Sequence, residues 1–202
     1  MRPPSDKRAA RGEATRAKLI ATARELFAER GYAAVGTNEV VQRAGVTRGA
    51  MYHHFRDKKD LFRAVHEQAE RELVAASAAP MQHVEDPWER LMAGMHGFFD
   101  ACEDPRLRRI ALVDAPAVLG WQEWRAVGRE YGLAAMTLVL QAAMDAGALR
   151  RVDVTNLAHL LIAALSEAAM MLANADDPVA ARREVEATLL VLLEGLRPVE
   201  SG

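Results

Sequence analysis

Apolar positions recur every three or four residues along most of this 202-residue chain, and no stretch alternates apolar with polar residues as a half-buried strand does. The pattern predicts an all-α protein. Leu19, Ile20, Ala23, Leu26 and Phe27 make one apolar stripe that stops at Gly31, a residue able to take the left-handed conformation that closes helices. That predicts a first helix over roughly 15–30. Three Asp-Pro pairs, Asp86-Pro87, Asp104-Pro105 and Asp177-Pro178, each set a capping carboxylate before a proline whose missing N–H costs nothing at a first helical position. They mark three further helix starts. Trp88, Leu91, Met92, Met95, Phe98 and Phe99 form a stripe behind the first. Val185, Leu189, Leu192, Leu193 and Leu196 form another behind the last, and Asp153 is placed to cap a helix running through Leu172.

Between 37 and 55 the elements become short. Thr37 reads as an N-cap, Val40, Val41 and Ala44 recur on one side of a two-turn helix, and Gly45 ends it. Val46 tucks between two helices, Thr47 caps the next, and Met51 and Phe55, four apart, point back to the same core. Two short helices meeting steeply make a helix-turn-helix, whose second helix projects and fits a DNA major groove roughly 12 Å wide. Its outer side carries Arg48, Gly49, Ala50, Tyr52 and His53. The Arg48 fork matches guanine O6 and N7, and Gly49 and Ala50 let the backbone approach the bases. The Tyr52 hydroxyl suits a phosphate, and Lys58 brings charge to the DNA backbone. Taken singly, each has a plainer role: a surface Arg or Lys is solvated, and a Tyr is a core ring.

Charge supports the first role without deciding it. Residues 1–60 hold 13 Lys or Arg against 7 Asp or Glu, whereas the remainder hold 13 against 21. A polyanion selects the basic end, although a solvated basic face has the same composition. Cys102 is the only cysteine, which excludes an internal disulfide or a cysteine metal cluster. Adjacent His53 and His54 diverge on a helix, and His66-Glu67 lacks the second histidine of HExxH, because position 70 is Glu; no metal or cofactor is expected. His96, Glu167 and Asp114 are the ionisable groups an enzyme reading would use, but no nucleophile, base and orienting group stand together. The longest oily stretch, 157–165, is broken by His159, and the basic start has no apolar segment behind it. A membrane span and a signal peptide are therefore not expected, and the cytoplasm is.

The segment TNEVVQRAGVTRGAMYHHFRDKKDL, residues 37–61, with LIATARELFAERGY before it, closely resembles the TetR family of bacterial transcriptional regulators. Ala44-Gly45-Val46, Gly49, Tyr52, Phe55, Lys58 and Leu61 fall at the family's spacing; Val41 departs from it, standing where alanine is usual. The motif match covers about the first 65 residues. The first twelve residues and the last four, polar or Pro/Gly-rich at a terminus, read as disordered, the former as a basic arm over 1–12. The resemblance implies a three-helix DNA-binding domain over 13–60 and a helical effector-binding and dimerisation domain over 61–198, entered by a connecting helix over 57–75. It implies DNA contacts at Thr37, Asn38, Thr47, Arg48, Gly49, Ala50, Tyr52, His53 and Lys58, with Arg48 and Asn38 reading bases. The implied function is a ligand-responsive repressor that binds a palindromic double-stranded operator as a homodimer. Transcriptional activation or architectural DNA binding is the alternative.

The body fits this outline. The helix over about 154–172 is apolar nearly all round, so a second copy packing on it and on the helix over 178–196 would cover it, unless it is simply central in a monomer. Met92, Met95, His96, Phe99, Trp121, Trp124, Tyr131, Glu167 and Met170 are candidate lining for a small-molecule effector pocket, apolar with a few polar handles. Such residues are equally ordinary core. The segment 75–85 reads as the one loose linker.

Overall fold

The computed structural model describes residues 4–198, with side-chain surroundings from residue 8. The helices in order are α1 (Pro4–Arg30), α2 (Thr37–Ala44), α3 (Arg48–His54), α4 (Lys58–Ala78), α5 (Pro87–Glu103), α6 (Pro105–Arg108), α7 (Ala115–Leu119), α8 (Trp121–Asp145), α9 (Val154–Ala173) and α10 (Pro178–Glu194). A π turn, Arg109–Asp114, joins α6 to α7, and a 3-10 turn, Pro80–His83, precedes α5. All three Asp-Pro pairs open helices. Asp86 accepts from the Glu89 N–H at 2.8 Å, Asp177 from Val179 and Ala180, and Asp153 caps α9 through the Asn156 N–H at 2.7 Å.

Three boundaries differ from the sequence reading. Residues 4–12, expected as a disordered arm, are the first turns of α1; residues 1–3 and 199–202 lie outside the described residues. Thr37 opens α2 rather than capping it, because Gly36 holds the extended cap conformation one residue earlier. The linker expected over 75–85 is shortened from both sides, by α4 running on to Ala78 and by the 3-10 turn.

The chain forms two compact units. One comprises the chain up to Ala69 together with Pro105–Gln122; the other comprises Glu70–Asp104 and Glu123 onward. The first unit thus runs past residue 60 to the middle of α4, and takes in a segment from much later in the sequence. Its core contains Leu19, Leu26, Phe27, Val40, Met51, Phe55, Leu61 and Phe62, all 3% exposed or less. Phe27 and Phe62 meet edge to face at 5.4 Å, and Tyr32 meets Phe62 at 5.0 Å. Arg30 at the end of α1 pairs with Glu39 of α2.

The second unit is centred on α5, α8, α9 and α10. Trp88, Leu91, Met92, Met95 and Phe99 pack in one cluster with Leu140, Met144, Ala158, Leu189 and Leu193. Arg182 of α10 binds Asp100 at 2.6 Å and Glu103 at 2.5 Å on α5, as well as Glu186 at 2.7 Å, fixing those two helices side by side. In α9 only Ala158, Ala168 and Ala169 are buried. By length and composition alone α9 is apolar enough to cross a membrane, yet Leu160 and Met171 stand exposed on it, as do Val179, Val191 and Leu192 on α10.

Candidate nucleic-acid interface

The turn between α2 and α3 is built from local signals. Gly45 takes φ +60 and returns its N–H to Gln42, Val46 follows half-buried, and Thr47 caps α3 by accepting from the Ala50 N–H at 3.1 Å. Met51 and Phe55 turn inward, with Arg16 of α1 lying over the Phe55 ring. His54 faces α1, where a Cβ on Gly12 would stand 3.7 Å from its ring; His53 is exposed. Met51, Phe55 and His54 therefore fix the rotation of α3, and the opposite side is left for a partner.

That side gathers the expected contacts. Asn38, Thr47, Arg48, Gly49, Tyr52 and His53 are exposed, and Thr37 and Ala50 are half-buried. Arg48 lies over the Tyr52 ring at 5.5 Å. Hydrogen bonds from the side chains of Arg48 and then Thr37 lower the Tyr52 hydroxyl below the ordinary phenol value. Thr37 at the start of α2 and Arg48 at the start of α3 thus both act on the Tyr52 hydroxyl. Gly49 carries no Cβ at the exposed start of α3, so the backbone is uncovered there.

Lys58 stands apart from this cluster. Its ammonium donates to the Tyr32 carbonyl at 2.5 Å and lies 4.0 Å from the Tyr32 ring centre. Burial holds its pKa down against the charge of Asp114. In this structure it ties the start of α4 to Tyr32, just past the end of α1.

Residues 19–65 match the family described as bacterial regulatory proteins of the tetR family, and residues 88–196 match the tetracyclin repressor-like C-terminal domain. The chain belongs to the TetR family. It is accordingly a DNA-binding transcription regulator, not an enzyme. A TetR-family transcriptional regulator from Pectobacterium atrosepticum is 35% identical, with a TM-score of 0.83 over 94% of this chain and 97% of that one. RolR, solved in complex with resorcinol, is 25% identical with a TM-score of 0.73, over 92% and 90% of the two chains. The transposon Tn10 TetC protein of Escherichia coli is 28% identical over 74% of this chain and 75% of its own length.

Eight of the nine pocket candidates of this TetR-family regulator lie in its second unit. Met92, Met95 and Phe99 are buried in the core of the second unit with Trp124 also buried, Met170 and Tyr131 are half-buried, and Tyr131 accepts from Arg71 at 3.1 Å. His96 and Glu167 are exposed, His96 lying 3.4 Å from Glu186, and Trp121, 49% exposed, belongs to the first unit. Helical periodicity places residues on a face without showing whether that face meets core, solvent or a cavity.

Two titratable groups of α4 escaped the sequence reading, half-buried Glu70 and buried His66. Glu70 lies in the second unit, where a Cβ on Gly128 would stand 3.6 Å from its carboxylate, and burial raises its pKa to about 7. Burial, then the charge of Glu70, pushes the Cys102 thiol up to about 12, which makes it unreactive. One turn before Glu70 on α4, His66 is fully buried, and burial followed by the charge of Arg63 lowers it to about 4. Their spacing of four on one helix is the signal that was available. Glu70 stays protonated in the fold after the unfolded chain has ionised, so its contribution to stability falls as pH rises from 4.5 to about 7. His66 stays neutral in the fold while the unfolded chain protonates, so its contribution rises with pH from about 4 to 6.5. The two slopes oppose each other in the shared window. Glu70→Gln is therefore expected to make stability climb more steeply with pH there than in the unaltered chain. Urea denaturation at a series of pH values measures this, and equal slopes would remove the assignment.

Proposed function

We propose that the protein is a ligand-responsive repressor that binds a palindromic operator as a homodimer in the cytoplasm, and leaves it when a small molecule occupies its C-terminal body. The observation that carries this reading is the exposed polar surface of α2 and α3, where Asn38, Thr47, Arg48, Gly49, Tyr52 and His53 are open to a partner and Arg48 lies over the Tyr52 ring. Arg48 and Asn38 read base edges. Thr37, Thr47 and Tyr52 bind phosphate and fix the register of α3 in the groove, while Ala50 touches a thymine methyl. Homodimer formation is supported by the apolar faces of α9 and α10. Leu160, Met171, Val179, Val191 and Leu192 are each more than half exposed in the single chain, and an isologous pairing would cover them in both copies at once. The two-fold axis then sets two recognition helices against two half-sites. A small organic effector is supported by the likeness to RolR, which was solved with resorcinol. Such a ligand acts by its preference for the body conformation that fits DNA less well.

Genome-fragment selection with the purified protein, followed by footprinting, tests the reading. A short palindrome is expected. Arg48→Ala should cost about 1–3 kcal/mol of discrimination at the base it reads while leaving most of the salt dependence in place. Weak, salt-sensitive binding without an enriched site would overturn operator reading. Footprints that accompany transcript gain rather than loss would assign activation instead.

A further inference from the structure

The segment Pro105–Gln122 follows the helix-turn-helix by about fifty residues in sequence, yet it belongs to the same compact unit. It packs on α1 through α6 and the π turn, burying Leu107, Ile110, Ala111 and Leu112. Its polar contacts converge on one corner of the DNA-reading unit. Gly31, at φ +81, follows the end of α1, and the backbone of the next residue is held on both sides. The Tyr32 N–H donates to Asp114 Oδ2 at 2.8 Å, and the Tyr32 carbonyl accepts from Lys58. A Cβ on Gly31 would stand 3.2 Å from Arg109 Nη1 and 3.7 Å from Asp114 Oδ2, so both ends of the π turn reach this corner. Lys59 donates to the Leu119 carbonyl at 3.3 Å and ties the start of α4 to the end of α7.

We infer that Asp114 is a positioning residue for operator reading: by holding the Gly31–Tyr32 corner from the π turn, it fixes the course of the chain from α1 into α2 and so the placement of the recognition pair. The inference rests on the reading of α2 and α3 as the operator-binding pair. A π turn suits the task. It is an uncommon, locally over-wide helical turn of the kind that recurs at functional sites, and here it aims Arg109 and Asp114 together at one corner. The segment is also continuous in sequence with α5 at one end and α8 at the other, both largely in the second unit.

The test compares the unaltered protein with Asp114→Ala and Asp114→Asn, using the selected operator, a scrambled duplex of equal length, and hydrogen exchange of residues 31–55 in the free protein. Asn keeps an oxygen that accepts from the Tyr32 N–H; Ala does not. Asp114→Ala is expected to lower operator affinity about tenfold, equivalent to about 1.4 kcal/mol, with scrambled-duplex affinity unchanged. It should also speed exchange over 31–55, and Asp114→Asn should recover most of both effects. A variant with the unaltered operator-to-scrambled ratio and exchange would overturn the inference. So would equal loss on both duplexes without recovery by Asn. If the unaltered protein shows no operator preference, the function proposed above fails, and exchange alone then decides: faster exchange in Asp114→Ala, restored by Asn, upholds the corner contact as a positioning device, and unchanged exchange removes it.

Discussion

Phe62→Ala is expected to remove about 3–5 kcal/mol of stability from the DNA-reading unit, the cost of deleting a fully buried aromatic ring whose site cannot collapse. Phe62 is 0% exposed and is flanked edge to face by Phe27 and Tyr32, so its loss leaves two rings without their common neighbour. That cost approaches the whole stability of a small domain, about 5–15 kcal/mol. Operator binding should disappear with it. Phe62→Leu keeps most of the volume and should cost less than about half as much. Chemical denaturation of the two variants checks this; a loss below about 1 kcal/mol for Ala would mean that α1 and α4 are not held together through this ring.

The second large effect concerns α10. Leu192 is 62% exposed and Val191 68% in the single chain. On a monomer, Leu192→Asp should change stability by no more than about 0.5 kcal/mol, as surface substitutions do. In the proposed homodimer it sets an unpaired carboxylate of each subunit into an apolar interface, at about 3 kcal/mol or more. Dimer dissociation should then rise at least about a hundredfold, and operator affinity should fall because each subunit reaches only one half-site. Sedimentation at several concentrations reads the first effect and footprinting the second. A protein that sediments as a monomer before substitution would sink the homodimer reading.

The elements were legible where their signals are local. Asp86, Asp153 and Asp177 announce helix starts because a carboxylate and its N–H partners lie within three residues, and Thr47 and Gly45 announce the turn before α3 in the same way. The outward set on α3 was legible because Met51 and Phe55 fix its rotation. Choices made by distant neighbours were not. Nothing near Lys58 in sequence reveals the Tyr32 carbonyl that takes its ammonium, and a six-residue π turn is too short to leave a period of its own. Unit membership was equally hidden: Trp121 and Trp124 are three apart on α8, yet fall in different units.

That the first unit is assembled from two separate stretches also bears on engineering. A recognition head made of one continuous stretch can be cut out and fused elsewhere, but this one also packs against residues 105–122. A fragment ending at Ala69 would lack Leu107, Ile110 and Leu112 against α1, and would leave the Tyr32 N–H without its carboxylate. Transplanting the DNA specificity of this regulator onto another protein therefore means exchanging the outward residues of α2 and α3 within a host scaffold, rather than grafting the N-terminal stretch whole.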